Sequence, residues 1–93
     1  MMNITKIKKQ FARMESMLAS IACQRMLLWD MLLPYMSEEF HNESCYIDVA
    51  HGDGLVVVFE VKFNYVHNYP ITQIIDLIEE GVTCITPDHL VAI

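Results

Sequence analysis

The chain has 93 residues, 54% of them hydrophobic, and a formal net charge of −6. That length fits one domain, and so high an apolar fraction is hard for one small body to hide, which favours self-association or a partner. The charge is uneven: residues 1–25 carry Lys6, Lys8, Lys9, Arg13 and Arg25 against Glu15, a net of +4, and the rest carries eleven acidic residues against Lys62, a net of −10. An acidic body argues against broad contact with nucleic-acid phosphates, which depends on Lys and Arg.

In chain order, the first element is a helix from Asn3, a suitable N-cap, to Pro34, whose ring stops helix at the preceding residue. Its apolar positions are Ile4, Ile7, Phe11, Met14, Leu18, Ile21, Leu28 and Leu32, with Arg25 as the one polar member. Steps of three and four without a slip are the heptad rule for a helix burying one seam. One continuous rod of this length would be about 45 Å long, more than the domain needs. The seam, Arg25 included, is therefore the expected oligomer interface of a homodimer or higher oligomer. A buried, unpaired Arg25 would be costly, so an acidic neighbour or an edge position is expected for it. Lys6, Lys9 and Arg13 form the solvent stripe of the first half, and the end from Met26 to Leu33 is apolar nearly all round except at Asp30.

Residues 35–44 read as an acidic connector with room for one helical turn. A β-hairpin follows, with Cys45, Ile47 and Val49 on one face and Tyr46, Asp48 and Ala50 on the other. A three-residue loop, Gly52-Asp53-Gly54, pairs Val49 with Val57, Ile47 with Phe59 and Cys45 with Val61, and so keeps the large apolar residues together. The second strand is read through Tyr65. The other face mixes Tyr46, Ala50, Val56 and Val58 with Asp48, Glu60 and Lys62, and such a half-apolar face calls for cover by another element or subunit. Pro70 then opens a short helix with the stripe Ile71, Ile74, Ile75 and Ile78, and Gly81 closes it. The tail, residues 82–93, reads as two short strands around Thr86-Pro87-Asp88-His89. The expected fold is α+β: long N-terminal helix, antiparallel hairpin, short second helix and small C-terminal β tail, in a single domain.

The chemistry-bearing residues are sparse. Three cysteines, Cys23, Cys45 and Cys84, make no close pair and point to a reducing compartment, the cytoplasm. The Ser20-Ile21-Ala22-Cys23 stretch has too short an apolar run before it for a secretory signal, and no apolar run reaches the ~20 residues of a membrane span. His41, His51, His67 and His89 include no pair at a metal-ligand spacing. His51 with Asp53 at the hairpin turn is the one seed for a small metal-dependent enzyme, and a plain turn with ordinary surface histidines is the preferred reading of it. Ser16, Ser20, Ser37 and Ser44 lie in no nucleophile motif. No cofactor and no metal are expected, nor is catalysis. Met17, Met26, Met31 and Met36, outside the seam, are candidates for an adaptable partner groove.

These features give a non-enzymatic, self-associating protein-binding module whose acidic surface (Glu38, Glu39, Glu43, Asp48, Glu60, Asp76, Glu79 and Glu80) meets a protein partner. Small acidic proteins, phage and mobile-element products among them, act as inhibitors or adaptors of larger proteins, and that class prior sets the expectation. In one version these carboxylates mimic nucleic-acid phosphates. The alternative is a dimeric nucleic-acid-binding regulator presenting Lys6, Lys8, Lys9 and Arg13.

Overall fold

A computed structural model of the chain describes residues 4–16, 22–42, 44–50, 52, 54–60 and 66–93, with side chains at all of these except 14–16 and 22–24. The fold is α+β. Helix α1 (Ile4–Ser16) and helix α2 (Ala22–Leu32) lead through two 3-10 turns, Leu33–Tyr35 and Glu38–Phe40, into strands β1 (Cys45–Ala50), β2 (Gly54–Glu60) and β3 (Val66–Pro70). Helix α3 (Ile71–Glu79) and a 3-10 turn at Pro87–His89 complete it. The sheet is antiparallel in the order β1-β2-β3. Helix α2 packs on β1 and α3 packs on β2 and β3, while α1 lies against both helices.

The N-terminal third is helical as expected but is described as two segments, not one rod. The molecule's longest principal extent is 35 Å, less than the roughly 45 Å a continuous 30-residue helix would need. Folding back lets α1 and α2 share one core, and the seam is spent there. Ile7, Leu28 and Leu32 are fully buried within the chain, and Ile4 and Phe11 are partly buried against the same cluster. These five are therefore not a free oligomer interface; burying them internally already removes their apolar area from water. Arg25 sits at the margin and finds its acidic neighbour in Asp48. Leu18, Ile21 and the Met14 side chain lie outside the described residues. The end of α2 is less buried than its composition suggests, since Met26 is 67% and Leu27 46% exposed.

The hairpin keeps the expected face but shifts its register by two residues. Val49 pairs with Leu55, Ile47 with Val57 and Cys45 with Phe59. Because side chains alternate with a period of two, a two-residue shift leaves every residue on its face. Gly52 (φ 82°) and Gly54 (φ 76°) both take left-handed backbone, and Gly54 does so opposite Ala50 as the first strand residue rather than inside the loop. Strand β2 ends at Glu60. Its expected continuation through residues 61–65, like the proposed Val61 pairing, falls outside the described residues.

The third strand, Val66–Pro70, went unread in the sequence because Asn68 and Pro70 are poor strand formers. It pairs His67 with Phe59 and Tyr69 with Val57, placing both aromatic residues on the core face. There Phe40, fully buried, meets Trp29 of α2, Phe59 of β2 and Tyr69 of β3 at ring-centroid distances of 6.5, 5.0 and 6.3 Å, all edge-to-face. Such tilted contacts suit the ring quadrupoles and add about 0.5–1.5 kcal/mol per pair to the burial itself.

Helix α3 buries Ile71, Ile74, Ile75 and Ile78, as its spacing requires. It ends in a Schellman motif: the Gly81 N–H donates to the Ile78 carbonyl and the Val82 N–H to the Leu77 carbonyl, each at 3.0 Å, with Gly81 at φ 96°. The expected two-stranded tail is instead one parallel bridge, Met36 with Ile85, followed by a 3-10 turn. Beyond it a side chain stands in for a strand. The Gln73 amide accepts from the Val91 N–H at 2.9 Å and donates to the Val91 carbonyl at 3.0 Å, and the Ile93 N–H donates to the Asn68 carbonyl. Pro87, with no N–H to offer, cannot extend a ladder there.

Since Phe40 touches rings from three elements, Phe40→Ala should cost about 4 kcal/mol in urea denaturation. Leu27→Ala, on an exposed surface, should cost less than about 1 kcal/mol in the same measurement.

Candidate functional site

Helix α2 and strand β1 meet at the margin of the sheet, and between them lies a groove of about 300 Å³ lined by Arg25, Met26, Trp29, Tyr46, Ile47 and Asp48. The helix supplies Arg25, Met26 and Trp29, adjacent or one turn apart, and the strand supplies three consecutive residues. The Arg25 Nη1 donates to Asp48 Oδ1 at 3.1 Å. Arg25 is partly buried and Asp48 half exposed, so the pair contributes at most about 1 kcal/mol. The pairing leaves the groove locally neutral on an acidic protein.

Strand β1 is an edge strand, and its free side can be assigned. The Cys45 N–H donates to the Asn42 carbonyl at 3.2 Å and the Val49 N–H to Asp48 Oδ1 at 2.8 Å, so neither bonds to β2. Backbone groups in an antiparallel ladder alternate in direction, so Cys45, Ile47 and Val49 all point their N–H and C=O groups away from the sheet. Cys45 and Val49 have caps for their N–H groups, and Ile47 between them is buried in the groove beside α2. The opposite edge differs, because the Ile93 N–H reaches the Asn68 carbonyl of β3. Apolar exposure gathers beside the open edge: Met26 at 67%, Tyr46 at 50% and Val49 at 44%.

The residues singled out in the sequence are distributed otherwise. Glu38, Glu39, Glu60, Asp76, Glu79 and Glu80 are exposed and Asp48 is intermediate, on four different elements counting the α3 cap with its helix, while Glu43 lies outside the described residues. Two of them are engaged, Asp48 by Arg25 and Glu79 by Lys8 at 2.8 Å. This ties Lys8, one of the four basic residues of the nucleic-acid alternative, to α3. Glu39 and Asp88 bear on Tyr69, whose pKa rises from its usual 10.0 chiefly through burial and then through these two carboxylates. Of the surplus methionines, Met36 is buried, Met31 is partly buried against the core, Met17 is outside the described residues, and Met26 lines the groove.

Reactive constellations are not assembled among the described residues. No group of three or more His, Cys, Asp or Glu is placed to hold a metal ion, and His51 and Asp53 lie outside the described residues. The His41 ring binds the Met36 carbonyl, His67 stacks on Tyr69 at 5.9 Å, and the His89 ring accepts from the Thr86 N–H. Cys45 is buried, and burial, outweighing a hydrogen bond with Asn42, raises its thiol pKa above the usual 9.0. Cys84 is exposed. No described helix is long and apolar enough to cross a membrane.

No family model, no curated protein and no solved structure matches this chain. The sequence names Arg25, Met26 and Asp48 as candidates for three different roles and Tyr46 only as part of a half-apolar face, and nothing in it joins them with Trp29 and Ile47 into one groove.

Two measurements check the thiol and phenol environments. With iodoacetamide at pH 8, native protein should be alkylated at Cys84 at least about tenfold faster than at Cys45, read by peptide mass. Because folding raises both the Cys45 and Tyr69 values, the unfolded chain ionises first, so stability is intact below pH 9 and falls as pH rises through the folded-state values. Tyr69→Phe should show a shallower loss of melting temperature than the parent above pH 10.

Proposed function

We propose that this chain is a non-enzymatic protein-binding module of the cytoplasm, a small inhibitor or adaptor of a larger protein, and that it makes its contacts at the β1 edge and the groove beside it. The observation that carries the reading is the coincidence of three features at one place. Strand β1 is at the edge of the sheet, large apolar side chains (Met26, Tyr46, Val49) are exposed along it, and a preformed groove lies against Trp29. An exposed, apolar edge strand is a template for pairing with another chain unless something covers it, and addition of a strand to such an edge is a recurring mode of protein recognition.

The acidic exterior fits the same reading. Charges spread over several elements do little for affinity but steer approach, favouring targets with basic faces and discouraging acidic ones. Glu38, Glu39, Glu60, Asp76 and Glu80 supply that field. Nucleic acid is disfavoured as a target by the same charge. The absence of a metal-holding group among the described residues gives no positive support to an enzymatic reading, and the non-enzymatic one rests on the open edge.

The test compares the parent protein with Met26→Glu and with Val49→Lys, both at exposed positions, after circular dichroism has shown each variant folded. Chemical cross-linking of each in a cell lysate, followed by mass analysis, should yield at least one protein contact, homotypic or heterotypic, that the parent makes and both variants lose. Identical cross-linking profiles for all three would overturn the assignment of binding to this edge.

A further inference from the structure

The groove beside Trp29 has a rim whose charges select its occupant. We propose that it receives an arginine side chain from a basic face of the partner protein, the guanidinium stacked on the Tyr46 ring and donating to Asp48 Oδ2. This rests on the reading that the margin between α2 and β1 is a protein-binding surface, and names the group it recognises.

The acceptor is set by the bonds Asp48 already makes. Its Oδ1 accepts from Arg25 Nη1 at 3.1 Å and from the Val49 N–H at 2.8 Å, which fills both lone-pair positions of that oxygen. Among the described residues nothing donates to Oδ2, and the side chain is half exposed. The two bonds fix the carboxylate, so Oδ2 is presented to a ligand at little further cost in ordering. Arg25 is the one basic residue among those lining the groove, and Asp48 balances it. Two more carboxylates flank that neutral pair. Asp30 is exposed one turn beyond Met26 on α2, and Glu60 is exposed two residues beyond Val58, the cross-strand partner of Tyr46. Neither has an ion pair among the described residues. The rim therefore favours a cation over an anion.

The walls choose among cations. Met26, Trp29 and the half-exposed Tyr46 give an apolar, partly aromatic surface. A guanidinium is planar, stacks on a ring face and is more weakly hydrated than an ammonium, so arginine suits these walls better than lysine. The groove's volume of about 300 Å³ lies at the lower end of the roughly 300–1,000 Å³ of ligand sites. That holds one long side chain with its stem rather than a large cofactor. The net charge of −6 draws a basic face toward the molecule from any side, and the groove gives one of its side chains a defined seat.

The full chain is titrated with the peptide acetyl-Gly-Arg-Gly-amide and, separately, with its citrulline, lysine and glutamate counterparts, followed by amide NMR. The chain has one tryptophan, so a single indole N–H signal reports on the groove directly. The arginine peptide should shift that signal and the Tyr46, Asp48 and Val49 amides, with a dissociation constant on the order of 1 mM, the scale of one side-chain contact. Citrulline keeps the shape and loses the charge, and should bind at least about tenfold more weakly. Asp48→Asn should weaken the arginine peptide about tenfold and Tyr46→Leu about threefold, once circular dichroism has shown both variants folded. Added salt should weaken it as well. Citrulline or lysine binding as tightly as arginine, shifts confined to other surfaces, or a titration that ignores Asp48→Asn overturns the proposal. Preference for the glutamate peptide also overturns it and makes Arg25 the receptor. If the proposal fails while Met26→Glu and Val49→Lys still abolish a cross-linked contact, the margin binds protein through another group. If those two variants abolish nothing either, both readings fall together.

Discussion

Burial of Phe40 is the constraint on which the architecture turns. It arrives on a short 3-10 turn, yet it is in contact with rings from α2, β2 and β3 and has no solvent exposure. The connector that carries it is tied to the C-terminal segment by backbone bonds, with the Ser37 N–H donating to the Ile85 carbonyl and the Ile85 N–H to the Tyr35 carbonyl, at 2.8 and 2.7 Å. That pair of bonds sets the depth of Phe40, and Phe40 in turn sets where α2 can lie over the sheet. The groove between α2 and β1 follows from this spacing.

Placing α2 over β1 has a second effect. It directs Leu28 and Leu32 inward and leaves Met26 outward, so apolar surface that could not be accommodated inside is gathered at one margin rather than scattered. The two sheet edges are then treated differently: the C-terminal tail lies along β3, while β1 carries caps for two N–H groups and is otherwise bare. Charged side chains on an edge strand are a common guard against unwanted pairing, and here the Asp48 carboxylate also accepts from the Val49 N–H.

Local features were legible in the sequence. The isoleucine stripe of α3, its Gly81 stop, the face parity of the hairpin and the need of Arg25 for a carboxylate all follow from nearest-neighbour chemistry. What was not legible depends on distant residues. A heptad pattern states which face of a helix is buried but not against what, and residues 4–33 contain no Gly or Pro to mark a break in the pattern. Ile7 and Leu28 therefore satisfy the pattern equally well inside one chain as between two. Strand β3 exists because β2 offers it a ladder and a core position for Tyr69, not because its own composition asks for one. The groove was invisible for the same reason, since Trp29 and Tyr46 become neighbours only once α2 is laid on β1.

The bridge between Met36 and Ile85 has a consequence for how the molecule comes into being. Its two strands of backbone are 49 positions apart (36 to 85), and contacts of such sequence separation are slow to form. During synthesis the connector lacks this partner until Ile85 has left the ribosome, so the bridge that holds Phe40 in place cannot close before then. Until that moment the nascent chain presents its grease and its open strand together, which makes it a substrate for chaperones and prone to association with its neighbours on the same message.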